Sequence, residues 1–211
     1  MRMRRKKHRE ERMENCLEIM LNEPFPKGEI KKVFGNENPV HIEIGCGKGG
    51  FITSLAEKNP DINYIAIEKN GDVLVLAMEK AMQKELKNVR FIFGDATFLS
   101  DIVAPGEISR IYINFCDPWH KTGHAKRRLT HKNYLEIYKN LLEPKSGEVF
   151  FKTDNRKLFE FSLNECADLG LKMKNITLDL HNSGYEGNIM TEYEKLFSEQ
   201  GMPIYRMEIK Y

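Results

Sequence analysis

From about residue 35 onward, short apolar runs rich in β-branched residues alternate with stretches patterned like helices, and this alternation narrows the fold more than any other property of the chain. Val40–Ile44 reads as a strand. Gly49–Lys58 reads as a helix that stops before Pro60. Ile62–Ile67 is a second strand, and Gly71–Leu86 places Val73, Leu74, Ala77, Met78, Ala81 and Met82 at helical spacing. Val89–Phe93 and Arg110–Phe115 are strands. Thr130–Leu142 is a helix capped by Thr130 and stopped before Pro144. Glu148–Lys152 (strand), Asn155–Leu169 (helix), Lys172–Leu180 (strand), Thr191–Glu199 (helix) and Pro203–Tyr211 (strand) complete the series. Strands joined through helices lie parallel, because the crossover returns the chain to the same edge. The last two strand runs lack a long helix between them, which allows an antiparallel edge. The expected class is α/β: a mostly parallel sheet with helices on both faces, whose ligands bind outside the carboxyl ends of the strands.

The chain has 211 residues, 41% hydrophobic and 30% charged, enough for one α/β domain over 35–211 preceded by a basic arm and helix over 1–34. Residues 13–34 read as a short helix and then a linker broken by Pro24, Pro26 and Gly28. Net charge is only +2, so attraction to a polyanion must come from local clustering. Two clusters stand out: the first nine residues, which hold no acid, and Lys121–Arg128. Cys16, Cys46, Cys116 and Cys166 are far apart and read as reduced thiols, neither a disulfide frame nor a zinc site. His120, His124 and His131 are too unevenly spaced for a metal set. No apolar run approaches the length of a membrane span, so a cytoplasmic protein without membrane or metal partners is expected.

The first strand runs into Glu43-Ile44-Gly45-Cys46-Gly47-Lys48-Gly49-Gly50, and an acid, Glu68, ends the next. Such glycines let the backbone turn tightly and approach a nucleotide-like cofactor. The acids choose which one. Glu43, Glu68, Asp95 and Asp117 mark the ends of strands one to four. A pyrophosphate beside Glu43 meets repulsion, whereas S-adenosylmethionine carries a sulfonium and an ammonium and suits carboxylates. Glu68 is placed for ribose hydroxyls and Asp95 for the adenine amino group.

After the fourth strand, Asp117-Pro118-Trp119 is followed by Lys121, His124, Lys126, Arg127 and Arg128 without an acid. An acid and an indole beside cations suit an enzyme that holds a nucleobase while gripping phosphates. Lys132 and the N-terminal arm add cations to the same task. Phe150, Phe151, Phe159 and Phe161 read as core, and His41 and His181 as structural.

Glu-x-Gly-x-Gly-x-Gly at 43–49, Glu68, Gly94-Asp95, the Asp117-Pro118-Trp119 block with its cations, and Thr191-Glu192-Tyr193-Glu194 together resemble the bacterial tRNA (guanine-N7-)-methyltransferase family over about residues 35–205. The resemblance implies a Rossmann-like class I methyltransferase fold with seven strands, S-adenosylmethionine as cofactor, and methylation of a guanine in the tRNA variable loop, by a monomer or homodimer. It implies that Glu43, Gly45, Gly47, Glu68, Asp95 and Asp117 line the cofactor. Lys121, Asp154 and Thr191, Glu192, Tyr193 and Glu194 would hold the substrate, and Gly123, His124, Ala125, Lys126, Arg127 and Arg128 would contact RNA. His120 stands where the family usually has proline, and Thr122-Gly123 where it usually has basic residues. The loop is therefore expected to be flexible and two charges poorer.

Guanine N7 has an in-plane lone pair and no proton, so its methylation needs no general base. Asp117 is the first candidate to stabilise the developing positive charge, ahead of Asp154 and Glu194. Three other readings stay open: methylation of an exocyclic amine or a small molecule, a nicotinamide oxidoreductase, and a non-catalytic RNA-binding module.

Overall fold

A computed structural model describes residues 8–211; the first seven residues of the basic arm lie outside them. Seven strands form one sheet: β1 (Val40–Ile44), β2 (Asn63–Glu68), β3 (Val89–Phe93), β4 (Arg110–Asn114), β5 (Glu148–Thr153), β6 (Lys172–Thr177) and β7 (Tyr205–Lys210). Their order is β3-β2-β1-β4-β5-β7-β6. β1, β2 and β3 pair parallel, as do β4 and β5, while β7 runs antiparallel to both β5 and β6. The mostly parallel sheet with an antiparallel edge is the architecture expected from the alternation. The helices are α1 (Arg9–Glu14), α2 (Gly50–Lys58), α3 (Gly71–Gln83), α4 (Leu99–Ile102), α5 (Lys132–Leu141), α6 (Arg156–Asp168) and α7 (Glu192–Glu199). The described residues group into two compact units that divide between Ala104 and Pro105.

In the first unit every residue of β1 is buried, and β2 is buried up to Ile67. Ile42, Ile65, Ile67 and Phe91 of the strands, Ile52 of α2 and Leu74 and Met78 of α3 are all buried. Such two-sided burial is why parallel strands read as continuous apolar runs. Gly49 allows α2 and α3 to close on each other. It sits at φ 76°, and a Cβ there would stand 2.6 Å from the Ala77 Cβ. Gly49→Ala combines a left-handed backbone with a clash. We expect a loss of about 3 kcal/mol and a fall of roughly 6–12 °C in Tm. A calorimetric Tm within 2 °C of wild type would show that the helices can part to admit the methyl.

Residues 13–34 depart from expectation. The helix is α1, it starts earlier, and Arg12 pins it to α3 by donating Nε and Nη2 to the two carboxylate oxygens of Glu79, both at 2.6 Å. Two 3-10 helices, at 17–19 and 30–34, follow. The link between β3 and β4 holds only a 3-10 turn at 96–98 and the four-residue α4, too little for the usual crossover helix.

In the second unit Ile111, Ile113, Val149, Phe151, Met207 and Ile209 of the strands, Leu135 and Tyr138 of α5 and Leu158 and Phe159 of α6 are buried, and the Phe151 ring stacks on that of Phe159 at 6.2 Å. Phe150 and Phe161, expected in the core, are half-buried. Each lies under a guanidinium instead: Arg110 at 4.2 Å from the Phe150 ring and Arg128 at 4.3 Å from the Phe161 ring. α5 is capped by His131, not by Thr130. The His131 Nδ1 accepts from the Asn133 N–H at 3.2 Å, while the buried Thr130 hydroxyl lies 2.6 Å from that of Ser162. β6 ends at Thr177 rather than Leu180, because its ladder with β7 is interrupted by a bulge and residues 180–182 turn into a 3-10 helix.

Candidate active site

The residues expected to hold the cofactor lie at the carboxyl ends of β1, β2 and β3. Parallel strands bring their last residues level, so Ile44 faces Ile67 and Glu68 faces Phe93. β1 ends in a turn with Gly45, Gly47 and Gly49 at φ 78°, 57° and 76°. Nothing lies within 4 Å of where a Cβ of Gly45 or Gly47 would stand, so the turn faces open space there. L-residues pay for that conformation and their side chains would enter that space. Glu68 secures the turn. Its Oε2 accepts from the Gly47 N–H at 3.0 Å, and its Oε1 accepts from the Asn70 N–H at 2.8 Å. A carboxylate has about four acceptor positions, so each oxygen keeps capacity for a ribose hydroxyl.

Glu43 is 2% exposed, deep beside this turn. Asp95 caps the 3-10 turn after β3 by accepting from the Thr97 N–H at 3.1 Å. Lys48, the cation of the turn, is exposed. Open glycine backbone with carboxylates beneath fits a positively charged, phosphate-free nucleoside such as S-adenosylmethionine.

The residues expected to hold the substrate follow β4 and β5 in the second unit. Phe115 and Trp119 both have positive φ, 52° and 43°. For bulky residues this backbone is costly and persists only where surrounding bonds impose it. Those bonds are visible: the Phe115 N–H donates to the Lys152 carbonyl at 2.9 Å, and Arg128 donates from Nε to the Pro118 carbonyl and from Nη2 to the Trp119 carbonyl, both at 3.1 Å. The clamp presents Asp117 to solvent at the crest of the loop.

The expected flexible loop is instead a 3-10 helix over Thr122–Arg127, with Lys121 as its N-cap. It folds back on Trp119: the His124 ring meets the indole edge-on at 5.7 Å, and the Arg127 guanidinium lies 4.8 Å from its centre. Lys121, Thr122, Gly123, Lys126 and Arg127 are exposed, and His124, Ala125 and Arg128 half-buried.

Asp154 is half-buried just past β5. Burial pushes the Cys116 thiol up to about 12, and the charges of Asp117 and Asp154 push the same way. Both carboxylates therefore act on one small region, where the field disfavours an added negative charge and favours a positive one.

The Thr191–Glu194 segment starts α7 with a capping box, in which Thr191 Oγ1 accepts from the Glu194 N–H at 2.9 Å. Glu192 and Tyr193 are exposed, and Tyr193 stacks on Phe197 at 6.2 Å. Glu194 is fully buried and paired with Lys152 at 2.7 Å. Sequence reasoning gave a role to Asp154 at this strand end but none to Lys152. Its signal was present: a lysine closing the apolar run Val149–Phe151, directly before Thr153-Asp154.

Among the described residues no group of three or more His, Cys, Asp or Glu could hold a metal ion, and no helix is long and apolar enough to cross a membrane.

Solved structures share this arrangement of strands. An antibiotic-related methyltransferase superposes with a TM-score of 0.65 at 20% identity, over 90% of this chain and 96% of its own. The 16S rRNA methyltransferase KamB gives 0.66 at 13% identity, over 89% and 94%. The fold is that of the class I methyltransferases. A family model described as "Putative methyltransferase" matches residues 37–207. The tRNA (guanine-N(7)-)-methyltransferase of Listeria monocytogenes is 50% identical over 100% of this chain and 99% of its own, and that of Clostridioides difficile 52% over the same shares. The chain belongs to the tRNA (guanine-N(7)-)-methyltransferase family.

Proposed function

We propose that this protein transfers a methyl group from S-adenosylmethionine to N7 of a guanine in the variable loop of tRNA. The observation that carries the reading is a carboxylate-backed glycine turn in the same chain as an aspartate and a tryptophan set among cations. The family match over 37–207 supports treating 35–211 as one methyltransferase domain behind the basic arm. The reading places the enzyme in the cytoplasm with its tRNA.

In this reading Glu43, Gly45, Gly47, Glu68 and Asp95 hold the cofactor, which supplies an electrophilic methyl on a cationic sulfur. Glu68 takes the ribose hydroxyls and Asp95 the adenine amino group. Guanine N7 attacks with its own lone pair, so the protein moves no proton at that atom. Its task is to hold the base in line, which can account for most of the rate. Methylation leaves the purine cationic. Asp117, together with Asp154, supplies negative potential where that charge appears. Trp119 offers a stacking surface for a base, a contact worth about 1–3 kcal/mol. Lys121, Lys126 and Arg127 take phosphates.

The test is transfer of labelled methyl to an unmodified tRNA transcript, followed by digestion. We expect label in 7-methylguanosine, and none when the variable-loop guanine is replaced by 7-deazaguanosine, which keeps every group but N7. Label on an exocyclic amine, or retained transfer to the deaza substrate, would overturn the reading. Binding of tRNA with no transfer would point to a non-catalytic module.

A further inference from the structure

We propose that Lys152 is a positioning residue for the substrate side: its buried ammonium staples segment 188–194 to the end of β5. This rests on the function proposed above for what the segment holds, but not for the staple itself.

An ammonium has three N–H donors. Lys152 Nζ uses them on the Asn188 Oδ1 at 3.0 Å, the Ile189 carbonyl at 2.9 Å and the Glu194 Oε2 at 2.7 Å. The opposite charge is equally engaged. Glu194 Oε1 accepts from the Asn188 Nδ2 at 2.5 Å and lies 3.3 Å from the His181 Nε2. Its Oε2 takes Lys152 and, at 3.4 Å, the Thr191 N–H. These partners account for the acceptor positions of one carboxylate, and Glu194 is 0% exposed. Its charge is thus directed inward, and the face that Thr191–Glu194 offers outward is Glu192 and Tyr193.

Lys152 ties down a second segment through its backbone. Its carbonyl accepts from the Phe115 N–H, the residue whose left-handed backbone opens the Asp117-Pro118-Trp119 turn. The Phe115 ring meets Phe197 at 6.2 Å, and Phe197 meets Tyr193 at 6.2 Å. One residue therefore fixes both the aspartate turn and the start of α7. A buried pair of charges is a poor source of stability but a demanding geometric constraint, because either charge alone is costly.

The test uses full-length Lys152→Met, Glu194→Gln, the double variant, and Asn188→Ala, which removes a partner of both charges while leaving them paired. For Lys152→Met and Asn188→Ala we expect a rise of tenfold or more in KM for tRNA, a change in kcat below threefold, and S-adenosylmethionine affinity within twofold. Amide exchange over 186–197 should quicken at least tenfold. In the double variant no uncompensated charge remains, so Tm should recover while KM stays high. Recovery of KM together with Tm would reduce Lys152 to a structural role and overturn the proposal. So would a normal KM in Lys152→Met, or in Asn188→Ala if Lys152→Met does not fold. Loss of kcat confined to Glu194→Gln would show that its carboxylate touches substrate, which also overturns it. A wild-type protein inactive on tRNA would instead refute the functional reading, and exchange over 186–197, which needs no substrate, would still decide the staple.

Discussion

Asp117→Ala should lower kcat on tRNA by about 10²–10³-fold, or about 3–4 kcal/mol of transition-state stabilisation. Its binding of S-adenosylmethionine should stay largely intact. The expectation follows from placement. Asp117 is exposed at the crest of a turn whose flanking residues, Phe115 and Trp119, are held at φ 52° and 43°. Nothing in N7-methylation of guanine requires it as a base, so in the proposed function its contribution is charge, aimed at a cation that exists only as the methyl arrives. Asp117→Asn should therefore fall almost as far as the alanine variant, although it keeps the shape. Single-turnover transfer with saturating tRNA separates chemistry from binding. Turnover within tenfold of wild type in Asp117→Ala would remove the aspartate from the reaction and leave Asp154 as the candidate.

Glu68→Ala should weaken S-adenosylmethionine binding by about 10–100-fold, because hydrogen bonds to a charged group contribute about 1.5–3 kcal/mol and each tenfold is about 1.4 kcal/mol. Two effects combine. The ribose loses its acceptor, and the Gly47 and Asn70 N–H groups lose the carboxylate that fixes the glycine turn. Isothermal titration without tRNA measures this directly. A dissociation constant within threefold of wild type would show that neither the ribose nor the turn depends on Glu68. Glu68→Gln is expected to fall between the two, since one oxygen remains while the amide nitrogen faces an N–H group.

Much of the fold was legible because its signals are local. The bounds of β1 and β3 match the apolar runs that define them, and Pro60 and Pro144 stand just past helix ends, as expected of residues that cannot continue a helix. The errors arose where a distant partner decides. Thr130 looked like a cap, yet its hydroxyl meets Ser162 on another helix and the next residue caps instead. Thr122-Gly123 looked loose, yet the segment winds into a 3-10 helix against Trp119. Glu194 illustrates a signal read for the wrong reason. The Thr-x-x-Glu spacing spells a capping box, which already pointed the carboxylate toward its own backbone. Lys152 escaped because no rule of spacing shows that a strand lysine will meet a glutamate 42 positions later.

The two arginines at the end of the cationic segment have different fates. Arg127 lies over the indole with its charge open to water, whereas Arg128 is occupied by the carbonyls of Pro118 and Trp119. When a polyanion settles on a protein, the mobile ions it sheds are counted by the side chains that reach its phosphates, and the salt sensitivity of the complex follows that count. In the function proposed here, a tally of basic letters between 121 and 128 therefore overstates the grip by one: Arg128 would shape the proposed RNA-facing surface, and the ionic strength of the medium would register its neighbours but not its own guanidinium.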